Sequence, residues 1–357
     1  MDRVQVVPAR VGSAPWRPPL PALVVVGLAA LIATVLVTVA IGPADIAVAD
    51  VARSVAGHLG LAGAGTGATG APRLIDAIVW DLRLPRVLTA AAVGAGLALA
   101  GAVMQSLTRN SLADPYLLGL SSGASLGAVA VLVVGVGLLL PVAAFAGALL
   151  ALAATLSLAR TGGILTPGRA VLAGLAISQL CAAGTSFVIF WTATGDSYRE
   201  ILSWLMGSIA GATWSSVAIS GIALLAVGAV LIASAVRLDA FAFGDTAAAA
   251  LGIDVERTRW TLMTAVALLT GAMVAVSGAI GFVGLVLPHA VSVVTGPRHR
   301  RLLPVAALSG AVFLVWADTA ARTVFDPREL PVGIITALIG VPVFAVLLRR
   351  GRGGAWS

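Results

Sequence analysis

Lysine is absent from this chain of 357 residues, so all 22 of its Lys and Arg positions are arginine. No phosphate-cradling lysine, Schiff-base lysine or pyridoxal anchor can be built from it, and the chain lacks the residue that holds the terminal phosphates of ATP in phosphate-loop enzymes. Cysteine is nearly absent too. The single thiol, Cys181, lies in an apolar run and excludes an intrachain disulfide or a cysteine-built metal site. Charged residues make up only 10% of the chain, against about 25% in soluble domains. Hydrophobic residues reach 59%, with a mean hydropathy of +1.05. No aqueous core can absorb that composition, and the chain reads as a membrane protein. Its net charge of +7 does not point to nucleic acid, because the arginines fall in short clusters between apolar runs and do not gather on one face.

A helix needs about 20 mostly apolar residues to cross about 30 Å of hydrocarbon. Ten runs near that length lie between charge clusters: Ala22–Ile41, Val87–Leu107, Leu117–Gly137, Pro141–Ala159, Ala170–Trp191, Ser215–Val236, Trp260–Ile280, Phe282–Thr295, Leu302–Ala320 and Pro331–Leu348. With a cytoplasmic N-terminus, 15 arginines fall on the inner side and 7 on the outer, the direction that the positive-inside rule requires. Both termini are then expected inside: a tail over 1–21, a transmembrane domain over 22–348 and a second tail over 349–357. The proline-bearing first 20 residues lack a small-residue cleavage site, so no cleaved leader is expected. The 41 glycines and spacings such as Gly123–Gly127 and Gly207–Gly211 predict close helix contacts in a compact bundle facing membrane lipid.

Several patterns carry no chemistry. Gly65–Gly70 matches a dinucleotide loop in letters only, since no strand precedes it and no amphipathic helix follows. His58, His289 and His299 are expected in an outer loop, a span and an inner loop, and cannot converge on a metal. Asp318 lies near the outer end of the ninth span, where pairing with Arg322 is expected. No span carries a carboxylate at its centre, which counts against an ion-coupled secondary transporter. An embedded enzyme would need convergent His, Asp or Glu, and the spans do not offer them.

The inner segment 237–259 is more informative. Asp245 is a candidate N-cap, Thr246–Leu251 a short helix of strong formers, and Gly252 its stop, after which Asp254 can cap a second short helix. The resulting elbow suits either a groove on a partner protein or a plain connector. On the outer side, Arg83, Arg86 and Arg322 are expected to be exposed. They could meet carboxylates on a soluble partner or snorkel at the interface.

The runs Leu82–Ala124, Gly281–His289 (G-F-V-G-L-V-L-P-H) and Glu329–Phe344 (E-L-P-V-G-I-I-T-A-L-I-G-V-P-V-F) resemble the FecCD-type permeases, in the same order. These are membrane subunits of binding-protein-dependent ABC importers for ferric siderophores, haem and cobalamin. The resemblance implies an all-α polytopic bundle of ten spans with a type II importer fold. It further implies a second permease subunit, two ATP-binding subunits and an extracytoplasmic substrate-binding protein. It places ATPase coupling on the elbow, at Phe243, Gly244, Asp245, Thr246, Ala248, Leu251 and Gly252. Binding-protein docking falls on Arg83, Arg86 and Arg322. A gate and pathway fall on Leu165, Thr166, Pro167, Leu172, Ser178 and Ser186. No catalytic residue, cofactor or metal is implied, and a ferric siderophore is the expected cargo, with haem or cobalamin as the alternative.

Overall fold

The structure, a computed structural model, describes residues 18–42, 44, 46–60, 73–136, 140–160, 166–192, 195–325 and 327–351. No β-strand occurs among the described residues. Among the described residues the first element is α1 (Leu20–Ala40), followed by α2 (Val48–His58). A continuous rod then runs through α3 (Arg73–Ala77), a π-helical stretch (Ile78–Arg83) and α4 (Leu84–Thr108). After a 3-10 turn (Pro115–Leu118) come α5 (Leu120–Val134), α6 (Leu140–Ala159), α7 (Pro167–Thr192) and α8 (Gly195–Leu205). The second half holds α9 (Trp214–Ala233), α10 (Ala235–Phe241), α11 (Asp245–Ala250), α12 (Val255–Ser277), α13 (Val283–Thr295), α14 (His299–Thr323) and α15 (Val332–Gly351).

Among the described residues seven helices are long and apolar enough to cross a membrane, and α5, α13 and α15 are shorter apolar helices. Each of the ten expected spans falls on one of these ten elements. The helices outside that set are short or amphipathic. In α2, Val51 and Ser54 are buried while Arg53 points outward, and the helix is too short and polar to span.

The rod ending in α4 is the axis of the bundle. The sequence A-A-A-V-G-A-G-L-A-L-A-G-A offers almost no side-chain bulk, so neighbours close in on every side, and residues 84–104 are all buried except half-buried Leu88. α4 packs against α14 above all, then α12, α9 and α13. The contact with α14 is backbone on backbone: a Cβ on Gly94 would lie 2.2 Å from the Gly310 carbonyl oxygen, and one on Gly310 would lie 2.3 Å from that of Gly94. Without a hydrophobic drive between helices in lipid, this proximity supplies the dispersion contacts that hold them.

The predicted small-residue spacing at Gly123–Gly127 is used in this way. A Cβ on Gly127 would lie 2.2 Å from the Ala143 carbonyl oxygen, so α5 rests directly on α6. Gly207–Gly211 is different. Gly207 sits in the turn after α8 with φ +75°, and nothing lies within 4 Å of a Cβ at Gly211, so this pair serves turn geometry rather than helix packing.

Candidate functional site

The elbow forms where α9 ends at Ser234 and the chain doubles back through α10 and α11 before entering α12. Its cap differs from expectation. Gly244, at φ +97°, takes the N-cap position of α11, because the reversal needs a backbone conformation that a side chain resists. Asp245 lies in the first helical turn and pairs with Arg259 at 2.8 Å; that guanidinium lies 5.4 Å from the centre of the Phe241 ring. Asp254 does cap, accepting from the Arg257 N–H at 3.0 Å, but the helix it starts is the long α12 and not a second short one.

The base of the elbow is therefore pinned by an ion pair to α12. Its outer surface is apolar: Phe243 is 79% exposed and Leu251 70%. Thr246 and Gly252 are exposed beside them, and Gly252 has φ +78°. Ala248 is fully buried, so it packs the elbow onto the bundle and cannot itself touch a partner. Two large apolar side chains held out on a fixed short helix form a contact patch with no cover among the described residues.

At the other end of the bundle the three arginines expected at the surface are buried, at 7% (Arg83), 8% (Arg86) and 5% (Arg322). Arg83 donates to the carbonyl oxygens of Val39, Ala40 and Ala44 at 2.8–2.9 Å, closing the open C-terminal end of α1. Arg86 grips Asp318 with two parallel bonds, Nε to Oδ2 at 2.8 Å and Nη2 to Oδ1 at 3.0 Å, and reaches Glu329 at 2.7 Å. Arg322, the partner expected for Asp318, instead donates to the Thr38 carbonyl and leaves its buried Nε without an acceptor. Direct exposure of these guanidiniums to a soluble partner is thus corrected. They are clamps on α1, α4 and α14, and Arg328 and Glu329 are among the exposed described residues of this rim. The physical reason is that the last carbonyls of α1 and the carboxylate of Asp318 need donors, and these arginines are the donors within reach.

The pathway residues are brought together only in part. Leu165 lies outside the described residues. Thr166 opens α7, its hydroxyl accepting from the Arg169 N–H at 3.4 Å, and Pro167 is the first residue of that helix. Along α7, Leu172 and Ser186 are exposed and Ser178 is half-buried, so one face of the helix is unoccupied within this chain. Pro288 lies inside α13, and the carbonyl of His289 accepts from the Ser292 hydroxyl at 2.7 Å. His58 stacks on Trp80, with ring centres 3.9 Å apart, and His299 binds Asp239 at the start of α14. Among the described residues no group of His, Cys, Asp and Glu is placed to hold a metal ion.

Sequence reasoning missed the polar ties that cross the bundle. Gln105 donates from α4 to the carbonyl oxygens of Gly284 and Leu285, and the Tyr116 hydroxyl bonds both the carbonyl and the N–H of Ile280. Both act on the broken stretch before and at the start of α13. The available signal was the conjunction of polar residues with the Gly278–Gly281 break, since interrupted backbone at membrane depth needs donors and acceptors from elsewhere.

A helical bundle with several helices long and apolar enough to cross a membrane, and an apolar elbow at one end, defines a polytopic membrane protein. The match to the FecCD transport family, over residues 30–350, makes the class specific: this chain belongs to that family and is a permease subunit of an ABC importer. It is 45% identical over 286 residues to the cobalamin import system permease protein BtuC of Halobacterium salinarum, covering 78% of this chain and 75% of that one. It is 42% identical to the hemin transport system permease protein HmuU of Yersinia pestis, over 77% and 84% of the two chains. It is 44% identical to the Fe(3+) dicitrate transport system permease protein FecD of Escherichia coli, over 77% and 86%. Among solved structures, an inward-facing metal-chelate type ABC transporter superposes with a TM-score of 0.81 at 29% identity, covering 92% of this chain and 99% of that chain.

Proposed function

We propose that this permease carries a ferric chelate of the siderophore class across a bacterial cytoplasmic membrane, with both termini in the cytoplasm. A second permease subunit completes the pathway, two ATP-binding subunits drive it, and an extracytoplasmic binding protein delivers the cargo. The observation that carries the coupling half of this reading is the elbow: Phe243 and Leu251 stand exposed on a helix anchored through Asp245 and Arg259. Closure of the ATPase pair on nucleotide would push this patch as a lever and rock the bundle between outward- and inward-open packings. The open face of α7, with Thr166, Pro167, Leu172, Ser178 and Ser186 and with Leu165 ahead of it, is assigned to the pathway. Docking of the binding protein is assigned to the outer rim that Arg83, Arg86 and Arg322 hold in register, with Arg328 and Glu329 at its surface.

Relatives named for the import of cobalamin, hemin and ferric dicitrate are 45%, 42% and 44% identical to this chain. Cargo selection therefore lies in the binding protein and in the pathway-facing side chains. Uptake of radiolabelled ferric siderophore, haem and cobalamin by the complex in proteoliposomes tests the assignment directly. Preferential ATP-dependent uptake of the ferric siderophore is expected, and uptake of haem or cobalamin alone overturns it.

A further inference from the structure

Between α9 and α12, at the end of the bundle that carries the elbow, three cavities of about 380, 530 and 550 Å³ adjoin. Arg257 lines the two smaller ones, Trp260 the smallest and the largest, and Val230 and Thr261 the two larger, so together they form one trough. Both walls carry the same chemical order. On α9 and into α10 the lining passes from Val227 and Val230 to the hydroxyl of Ser234 and then to Arg237. On α12 it passes from Leu268 through Thr264 and Thr261 to Arg257. The α12 wall from Leu268 to Arg257 rises about 16 Å at 1.5 Å per residue, close to half of the roughly 30 Å hydrocarbon core.

The arginines at the mouth are free cations. Arg237 and Arg257 are exposed, and neither takes part in an ion pair among the described residues. Arg160 sits 5.7 Å from the centre of the Trp260 ring beside them, at the position an interfacial aromatic takes. Asp254 and Glu256 also line the mouth, leaving three guanidiniums against two carboxylates, and Asp254 is engaged in capping α12. Leu225 and Val230 are exposed on α9, so apolar surface borders the trough.

We propose that this trough is a binding site for one anionic glycerophospholipid. The phosphate is held between Arg237 and Arg257, the ester and glycerol region passes the small polar side chains of Ser234 and Thr261, whose hydroxyls donate to the carbonyl oxygens of Val230 and Arg257 at 2.8 Å, and an acyl chain lies against Val227, Val230 and Leu268. An acyl chain, a polar backbone and a phosphate occur in a phospholipid in the order in which these walls change from apolar to small polar to cationic. Arg237 lies in α10, ahead of α11, and Arg257 in the first turn of α12, after it, so the lipid phosphate braces both sides of α11.

The test uses the full chain in nanodiscs of phosphatidylglycerol or of phosphatidylcholine, with retained lipid counted by native mass spectrometry after release into detergent. The expectation is one phosphatidylglycerol per chain and markedly less phosphatidylcholine. Arg237→Gln with Arg257→Gln should weaken phosphatidylglycerol binding about thirtyfold, from two cations near an anionic headgroup. Val230→Trp, which fills the trough with both arginines intact, should also lower retention, and unchanged gel-filtration and melting profiles verify that each variant is folded. Equal retention of the two lipids, or phosphatidylglycerol retention indifferent to both sets of changes, overturns the proposal. Displacement by free glycerol phosphate at the concentration at which phosphatidylglycerol competes would show a plain phosphate site and also overturn it. Loss of the co-purifying ATP-binding subunit in the double variant, with lipid retention unchanged, would assign the mouth to that subunit instead.

Discussion

Arg86 decides how the outer end of the bundle is held. Its two parallel bonds to Asp318 and a third to Glu329 place one guanidinium between α4, α14 and the segment leading into α15. Asp318 is 2% exposed, so removing its partner leaves a carboxylate with nowhere to place its charge. Arg86→Gln should cost about 3–5 kcal/mol of stability, the range for breaking a buried pair. Adding Asp318→Asn should return much of that loss, and thermal unfolding of the four proteins in detergent reads the cycle. Asp114 gives a second prediction. It lies between α4 and the 3-10 turn, where burial pushes its carboxyl up to about 6, opposed by the hydrogen bond from the Tyr116 N–H. The folded state then binds the proton more tightly than the unfolded chain, so stability from this group falls as pH rises from about 4 to about 6. Asp114→Asn keeps the acceptor and removes the charge; the variant should melt higher than the parent at pH 8 and show a flatter profile below pH 6. A parallel profile would remove Asp114 from the account. The sequence identified Arg86 as a special residue but not its partners, because 232 positions separate it from Asp318 and hydropathy does not report which rare polar side chains meet.

At the scale of elements, the spans were legible because length and apolarity are what a bilayer selects. The elbow was legible in outline from Gly252 and Asp254. Its cap was not: Asp245 is a good capping type, yet Arg259, one face away on α12, takes that carboxylate, and Gly244 makes the turn instead. Ala248, which the sequence offers as a contact residue, faces inward for a similar reason, since only a methyl group fits where α11 meets its support. Phe243→Ala with Leu251→Ala should therefore change melting little, within about 0.5 kcal/mol as for surface substitutions. The same pair should abolish stimulation of the ATP-binding subunits by the permease. Normal stimulation would exclude this patch as the coupling contact. The α4–α14 contact makes the opposite demand. Gly310→Ala puts a methyl carbon 2.3 Å from a carbonyl oxygen, so the helices must separate, at a cost of about 1–3 kcal/mol by analogy with overpacked cores.

For the whole molecule, what matters is where the driving force enters. The chain is a permease subunit of an ABC importer and has no lysine with which to hold the terminal phosphates of ATP, so the proposed reading places the energy source on a partner. The isolated chain in sealed vesicles should accumulate no cargo against a gradient, whereas the complex with ATP should; accumulation by the chain alone would refute that placement.

The burial of α4 has a consequence for biosynthesis. Its principal neighbour, α14, lies more than 200 residues downstream, as the pairing of Gly94 with Gly310 shows (310 − 94 = 216). At roughly 5–20 residues per second a ribosome needs about 10–40 s to deliver that neighbour. During that interval a nearly featureless ribbon of glycine and alanine must wait among lipids or beside the insertion machinery, without the surface that completes it. Nascent chains stopped before residue 299 should be degraded by membrane proteases far faster than those stopped after residue 323, a difference that pulse-chase labelling of truncated chains would read.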